Sequence, residues 1–120
     1  VFVIRMKPES WNKLARKHYR VYMRVFQDWK MATIAALNRA KAKPISGRVQ
    51  IIVTAMWKGS ARHDLDNVLL KPVIDTIVKE HILADDQLKD IGQIIIRGAN
   101  KQAEDALQVE ILPYNVGNAD

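Results

Sequence analysis

Three features of the sequence predict an α+β domain in which two helices lie on a small mixed β-sheet. From Glu9 to Lys43 there is neither Gly nor Pro, and apolar residues recur there at helical spacing. The run "RVQIIVTAMW", residues 48–57, alternates in the manner of a strand, and "LKDIGQIIIRG" and "ALQVEILP" close the chain as two further strands. The resulting order, β-α-β-α-β-β, suits a single domain over residues 1–120 with helices on a small sheet.

Each element has its own warrant. "VFVIRMK" at residues 1–7 reads as a short strand ended by Pro8. Trp11, Leu14, Tyr22, Val25, Phe26, Trp29, Thr33, Ala36, Leu37 and Ala40 then mark one helical face, with Ser10 as a capping residue. Residues 21–42 are expected to be helical throughout, whereas 9–20, rich in Lys, Arg, Asn and His, fit a helix or a basic loop. "KPISG" breaks the chain. In residues 48–57 Val49, Ile51, Val53, Ala55 and Trp57 alternate with Gln50, Ile52, Thr54 and Met56, which suits a strand covered on both faces. Leu70, Val73, Ile74 and Ile77 form a second helical stripe, and Pro72, tolerated only in a first turn, sets the start of that helix close to Val68. The last two strands, joined by "ANKQAED", form most simply a hairpin.

An apolar content of 48% with 27% charged residues indicates a globular chain. The absence of cysteine excludes disulfides and thiolate metal sites, and His18, His63 and His81 are too scattered in sequence for a zinc constellation. No run of about 18 apolar residues exists and Lys and Arg interrupt the first twenty positions, so neither a membrane span nor a secretory signal is expected and a cytoplasmic location is the default. The charge is divided unevenly. Residues 1–63 hold fourteen Lys or Arg against Glu9 and Asp28, while residues 64–120 hold five against eleven Asp or Glu. One surface suited to a polyanion such as nucleic acid and another suited to cations would account for this; so would a solvated lysine-rich helix.

The stretch "RHDLDNVLLKPVIDTIVKEHILADDQL", residues 62–88, gathers five aspartates in a chain of net charge +6. In an extended segment Asp64 and Asp66 point to one side, where their repulsion is relieved by a hard divalent cation, Mg²⁺ or Mn²⁺, bound through carboxylates and substrate phosphate. Asp85 and Asp86, in the turn after the next helix, can close such a site. The plainer alternative makes Asp66 or Asn67 a helix cap and Asp85, Asp86 and Asp90 solvated loop residues. An EF-hand is excluded because Val68 occupies its third ligand position and the required Gly is missing. "DLDNV" also fits the D-x-D-x-[TV] pattern of haloacid-dehalogenase phosphatases, but there the first Asp ends a strand directly, and here a polar loop intervenes.

"DLDNVLLKPVIDTI" followed by "ADDQL" resembles the signature of the RusA-type Holliday-junction resolvases, small endodeoxyribonucleases common in phages and prophages. The close resemblance covers residues 62–90, and the rest agrees in length, element order and its basic first half. It implies a homodimeric, Mg²⁺-dependent nuclease that nicks four-way DNA junctions symmetrically. It further implies that Asp64, Asp66 and one of Asp85 or Asp86 bind the metal and that Lys71 is the catalytic lysine. Two spacings depart from the family: three residues rather than two separate Asn67 from Lys71, and Gln87 follows Asp86 directly. His63 stands where some members of the family carry Arg. On this reading Lys13, Arg16, Lys17, Arg20, Lys58 and Arg62 follow backbone phosphates. A rival of another class is a junction- or duplex-binding module without catalysis, and a third is an RNA-directed metallonuclease. Lys71 also has an ordinary explanation, an i,i+4 pair with Asp75.

Overall fold

The computed structural model describes residues 1–114. It is an α+β fold of four strands and three helices: β1 (Phe2–Ile4), α1 (Trp11–Ala15), α2 (Tyr19–Arg39), β2 (Val49–Met56), α3 (Lys71–Lys79), β3 (Ile91–Ala99) and β4 (Ala106–Pro113). The helix expected over residues 21–42 is α2, and the segment 9–20, open between helix and basic loop by sequence, adds a separate short helix, α1. Ser10 starts α1, its Oγ accepting from the Lys13 N–H at 3.3 Å, and His18 starts α2, its Nδ1 accepting from the Arg20 N–H at 3.2 Å. A second cap within the basic segment is what ends the first helix and opens another.

Both longer helices stop in the same way. Lys41 and His81 take left-handed φ values of 52° and 62°, and the next residues donate backward, Ala42 N–H to Leu37 C=O and Ile82 N–H to Ile77 C=O, each at 3.0 Å. These are Schellman endings built without glycine. Helix α3 begins at Lys71 rather than near Val68; Pro72 still falls in its first turn, where its missing N–H removes nothing.

The sheet order is β1-β4-β2-β3, with β2 parallel to β3 and antiparallel to β4. The last two strands therefore do not form a hairpin. A strand, α3 and a second strand make a crossover unit, which sets β3 parallel beside β2. The polar linker then passes over the end of β2, and β4 pairs on its other side. Val49, Ile51, Val53 and Ala55 are buried against α2 and α3 together with Trp29, Leu37, Val73 and Ile77, forming one hydrophobic core. The alternate residues Gln50, Ile52, Thr54 and Met56 are only partly covered, so β2 is closed on one face, not two. Two hydroxyls within the core are satisfied along their own helices: Thr33 Oγ1 donates to Trp29 C=O, and Thr76 Oγ1 to Pro72 C=O, both at 2.7 Å. Among the described residues no helix is long and apolar enough to cross a membrane.

Candidate active site at the end of β2

Trp57 directly follows β2 and anchors the polar loop that leaves it. Its side chain is buried, its backbone N–H donates to Ala99 C=O and its backbone C=O accepts from Gln102 N–H, both at 2.9 Å. The loop itself is held by Lys58 N–H to Asp105 Oδ1 at 2.8 Å and by Asn100 Nδ2 to Ala61 C=O at 3.0 Å. His63 then lies flat on Trp57, and the chain enters a single 3-10 turn, Leu65–Asn67. Leu65 rests on β3 at Gly98, where a Cβ would stand 2.5 Å from Leu65 Cδ2. A side chain at Gly98 would have to push the end of Leu65 aside.

From the other side α1 is stitched to the same turn. Asn67 Nδ2 donates to Ser10 Oγ at 2.7 Å, and Asn67 Oδ1 accepts from Asn12 N–H at 2.9 Å. Leu69 N–H donates to Glu9 C=O at 2.9 Å, and Ser10 and Val68 form an antiparallel bridge. The basic helix and the carboxylate loop are thus one unit. Asn67, a candidate helix cap by sequence, is the clamp between them, and the cap position of α3 is Leu70. Neither Asp66 nor Asn67 caps α3.

A cleft of about 130 Å³ opens at this junction, and Asp64 shares it with Lys13, Arg62, His63 and Glu9. Glu9 has no sequence signal beyond its rarity in a basic half; nothing in its local pattern marks it. Asp66 lines a different hollow, of about 290 Å³, with Trp11 and Lys71. The same-side expectation for Asp64 and Asp66 rested on extended backbone. Asp64 is extended, with φ −96° and ψ 120°, but Asp66 lies inside the 3-10 turn, where each residue rotates by about 120°. Both carboxylates are exposed, and neither has a hydrogen bond or ion pair among the described residues. Lys71, the first residue of α3, holds its Nζ 3.6 Å from Asp75 Oδ2, which is the ordinary i,i+4 pair. That pair is exposed and weak, about 0–1 kcal/mol, so it leaves the ammonium available to another anion.

Asp85 and Asp86 stand elsewhere. After α3 the chain runs beside the beginning of β2: Ile45 N–H donates to Ile82 C=O and Val49 N–H to Asp90 C=O, both at 2.8 Å, and Arg48 Nε donates to Leu88 C=O at 2.9 Å. Asp64 and Asp66 lie beyond the end of the same strand, whose eight residues span roughly 23 Å. Among the described residues no three His, Asp or Glu side chains gather closely enough to hold a metal ion. The acidic ends joined by α3 do not meet within one chain.

The basic residues spread across one region. Lys13 and Arg62 line the Asp64 cleft; Arg16 and Lys17 occupy the break between α1 and α2, Arg20 the first turn of α2, and Lys58 the loop after Trp57, all of them exposed. Of the aromatic residues nearby, Trp57 is core, whereas Trp11 and Tyr19 are 38% and 70% exposed, enough to present ring faces. A scan against protein-family models finds no match, and a search of curated proteins finds no significant relative.

Proposed function

We propose that this chain is a cytoplasmic, Mg²⁺-dependent endodeoxyribonuclease that acts as a homodimer on four-way DNA junctions, nicking two strands symmetrically. The observation that carries the reading is the Asp64 cleft: a carboxylate without an ionic partner among the described residues, beside Lys13 and Arg62, next to the basic break between α1 and α2. Cations of that kind receive backbone phosphates, while the carboxylate serves a divalent ion that a phosphate also binds. The RusA-type signature over residues 62–90 supplies the reaction class.

Asp64 and Asp66 line neighbouring hollows on either side of one turn, and a divalent ion held through one of them would be finished by substrate phosphate. The third carboxylate, Asp85 or Asp86, can join only from a second chain, because one chain holds these residues at opposite ends of β2. When bound there, Mg²⁺ or Mn²⁺ would supply an activated water and neutralise charge on the phosphate oxygens. The chain's own groups do the rest. Lys13 and Arg62 hold the strand, and Lys71, released from Asp75, faces the hollow of Asp66 and stabilises negative charge on the leaving oxygen.

Purified protein with a synthetic four-way junction and a matched linear duplex, in Mg²⁺ and then in EDTA, tests this reading. Asp66→Asn is expected to lower cleavage at least about a hundredfold, roughly 3 kcal/mol of barrier, with junction binding in EDTA retained. Asp28→Asn, on the exposed side of α2 and away from the site, is the control. Full cleavage by Asp66→Asn would remove the carboxylate from the metal site. A second reading, a junction-binding module without catalysis, draws on the Lys71–Asp75 pair and the separated carboxylates. It expects tight junction binding and no cleavage in any divalent ion.

A further inference from the structure

Among the described residues, strand β3 is a sheet edge left open on its outer side; a register shift leaves Gly92 unpaired near its start, and from Gln93 to Ala99 its pairing with β2 is regular. It is nine residues long, carries no Pro and only one charge, Arg97, and no described helix lies over it. Besides β2, it meets the Leu65–Asn67 turn near its end and the Tyr114 ring at Gly92. Ile94 shows the consequence. It pairs with Ile51 and faces the same side of the sheet, yet Ile51 is fully buried and Ile94 is 44% exposed. The helices stop one strand short. Leu88, just before β3, is 72% exposed, and Leu65, against its far end, 38%.

Charge along this edge is ordered. Residues 85–90 contain Asp85, Asp86 and Asp90 against Lys89; residues 97–101 contain Arg97 and Lys101 and no acid. An acidic start and a basic end match a second copy of the same edge running antiparallel, and clash with a parallel copy.

We infer that β3 is the surface through which two copies of this chain associate, edge to edge and antiparallel about a two-fold axis near the middle of the strand. The occupant is a second copy because the order of charge along the edge is complementary to itself, as an isologous contact requires. The apolar row Ile94 to Ile96 is covered in the dimer, and the open backbone groups of each β3 pair with those of the other. This inference rests on the homodimer proposed above and specifies its interface; it does not depend on the nuclease chemistry.

The chain lacks cysteine, so a single introduced thiol reports symmetry directly. In the series Gln93→Cys, Ile94→Cys, Ile95→Cys, Ile96→Cys and Arg97→Cys, mild oxidation is expected to cross-link the variant nearest the axis several-fold faster than those at either end. Ile94→Lys, with its native circular dichroism kept, is expected to lower the mass seen by sedimentation to the 13.7 kDa of one chain. Met31→Lys, on the exposed side of α2, is expected to leave the dimer intact. A dimer that survives Ile94→Lys and shows no cross-linking maximum along β3 overturns this interface while leaving the dimer standing. A wild-type protein that is monomeric at tens of micromolar overturns both, and junction cleavage, measured separately, decides the nuclease reading by itself.

Discussion

The imidazole of His63 lies parallel to the indole of Trp57, their ring centroids 3.8 Å apart and their planes within 5°. Trp57 is core at its other face, 4% exposed, so the stack ties the carboxylate loop to the sheet one residue before Asp64. A flat ring at position 63 therefore matters more to the loop's placement than a charge does. Trp57→Ala is expected to cost about 3–5 kcal/mol in urea unfolding. His63→Ala is expected to cost about 0.5–1.5 kcal/mol, and His63→Phe, which preserves the stack, less than that. Equal stability of the Ala and Phe variants would show that the stack does not hold the loop.

Asn67 makes a second tie, to α1 instead of the sheet. Asn67→Ala removes both the bond to Ser10 Oγ and the one from Asn12 N–H, and about 1–2 kcal/mol of stability should go with them, since each surviving partner can reach water. Asn67→Asp keeps the acceptor for Asn12 and should cost less. If α1 matters through its basic residues, Asn67→Ala should also weaken junction binding in EDTA, although the side chain carries no charge. Unchanged binding would show that Lys13 and Arg16 act without α1 being fixed to the loop.

The elements legible in the sequence are those decided by neighbours along the chain. Ser10 caps α1, Pro72 sits in a first turn, and the Leu70 to Ile77 stripe is a buried face, each by local rules. What escaped reading depends on distant parts or on exceptions. The "ANKQAED" linker is as compatible with a hairpin as with a step across β2, and only the crossover through α3 decides between them. The 3-10 turn at Leu65–Asn67 is too short to leave a periodic signal, so the divergence of Asp64 from Asp66 was invisible, as was the distance from them to Asp85 and Asp86. The proposed DNA-facing residues were legible only as an excess of charge; Lys13 and Arg62, far apart in sequence, share a cleft because Asn67 clamps α1 to the loop.

Lys41 and His81 end α2 and α3 in left-handed conformations that an L side chain resists by about 1–2 kcal/mol. Both are exposed and neither side chain has a hydrogen bond or ion pair among the described residues, so nothing offsets that cost locally. Lys41→Gly and His81→Gly are each expected to raise stability by roughly 0.5–1 kcal/mol, after the greater chain entropy of glycine is set against the relieved strain. Thermal or urea unfolding of each variant checks this. A loss of stability in both would mean that the side chains contribute more than their conformation costs.

Arg16 and Arg20 flank the break between α1 and α2, where two helix ends turn basic side chains outward. If they neutralise phosphates, each lost contact should make the slope of log affinity against log salt shallower by about one unit for duplex arms. The double change Arg16→Ala, Arg20→Ala, measured in EDTA between about 50 and 200 mM salt, should therefore flatten the slope by about two units. An unaltered slope would move the DNA contact off this part of the molecule.

The separation of Asp64 and Asp66 from Asp85 and Asp86 along β2 makes a site shared between two chains distinguishable from one contained within a chain. Asp64→Asn with Asp66→Asn leaves a chain that can still donate the later pair, and Asp85→Asn with Asp86→Asn leaves one that can still donate the earlier pair. Each alone should be inactive. Mixed and allowed to exchange, about half of the dimers contain one chain of each kind, and each such dimer holds one intact site and one empty of all its carboxylates, so about a quarter of the sites recover. A dimer with a single working site can nick one strand of a junction but cannot make the paired cut that resolves it. Nicked junctions without resolved duplexes are therefore the expected product, seen by comparing denaturing with native gels. If every site is built within one chain, no chain in the mixture carries a complete set, and mixing restores nothing.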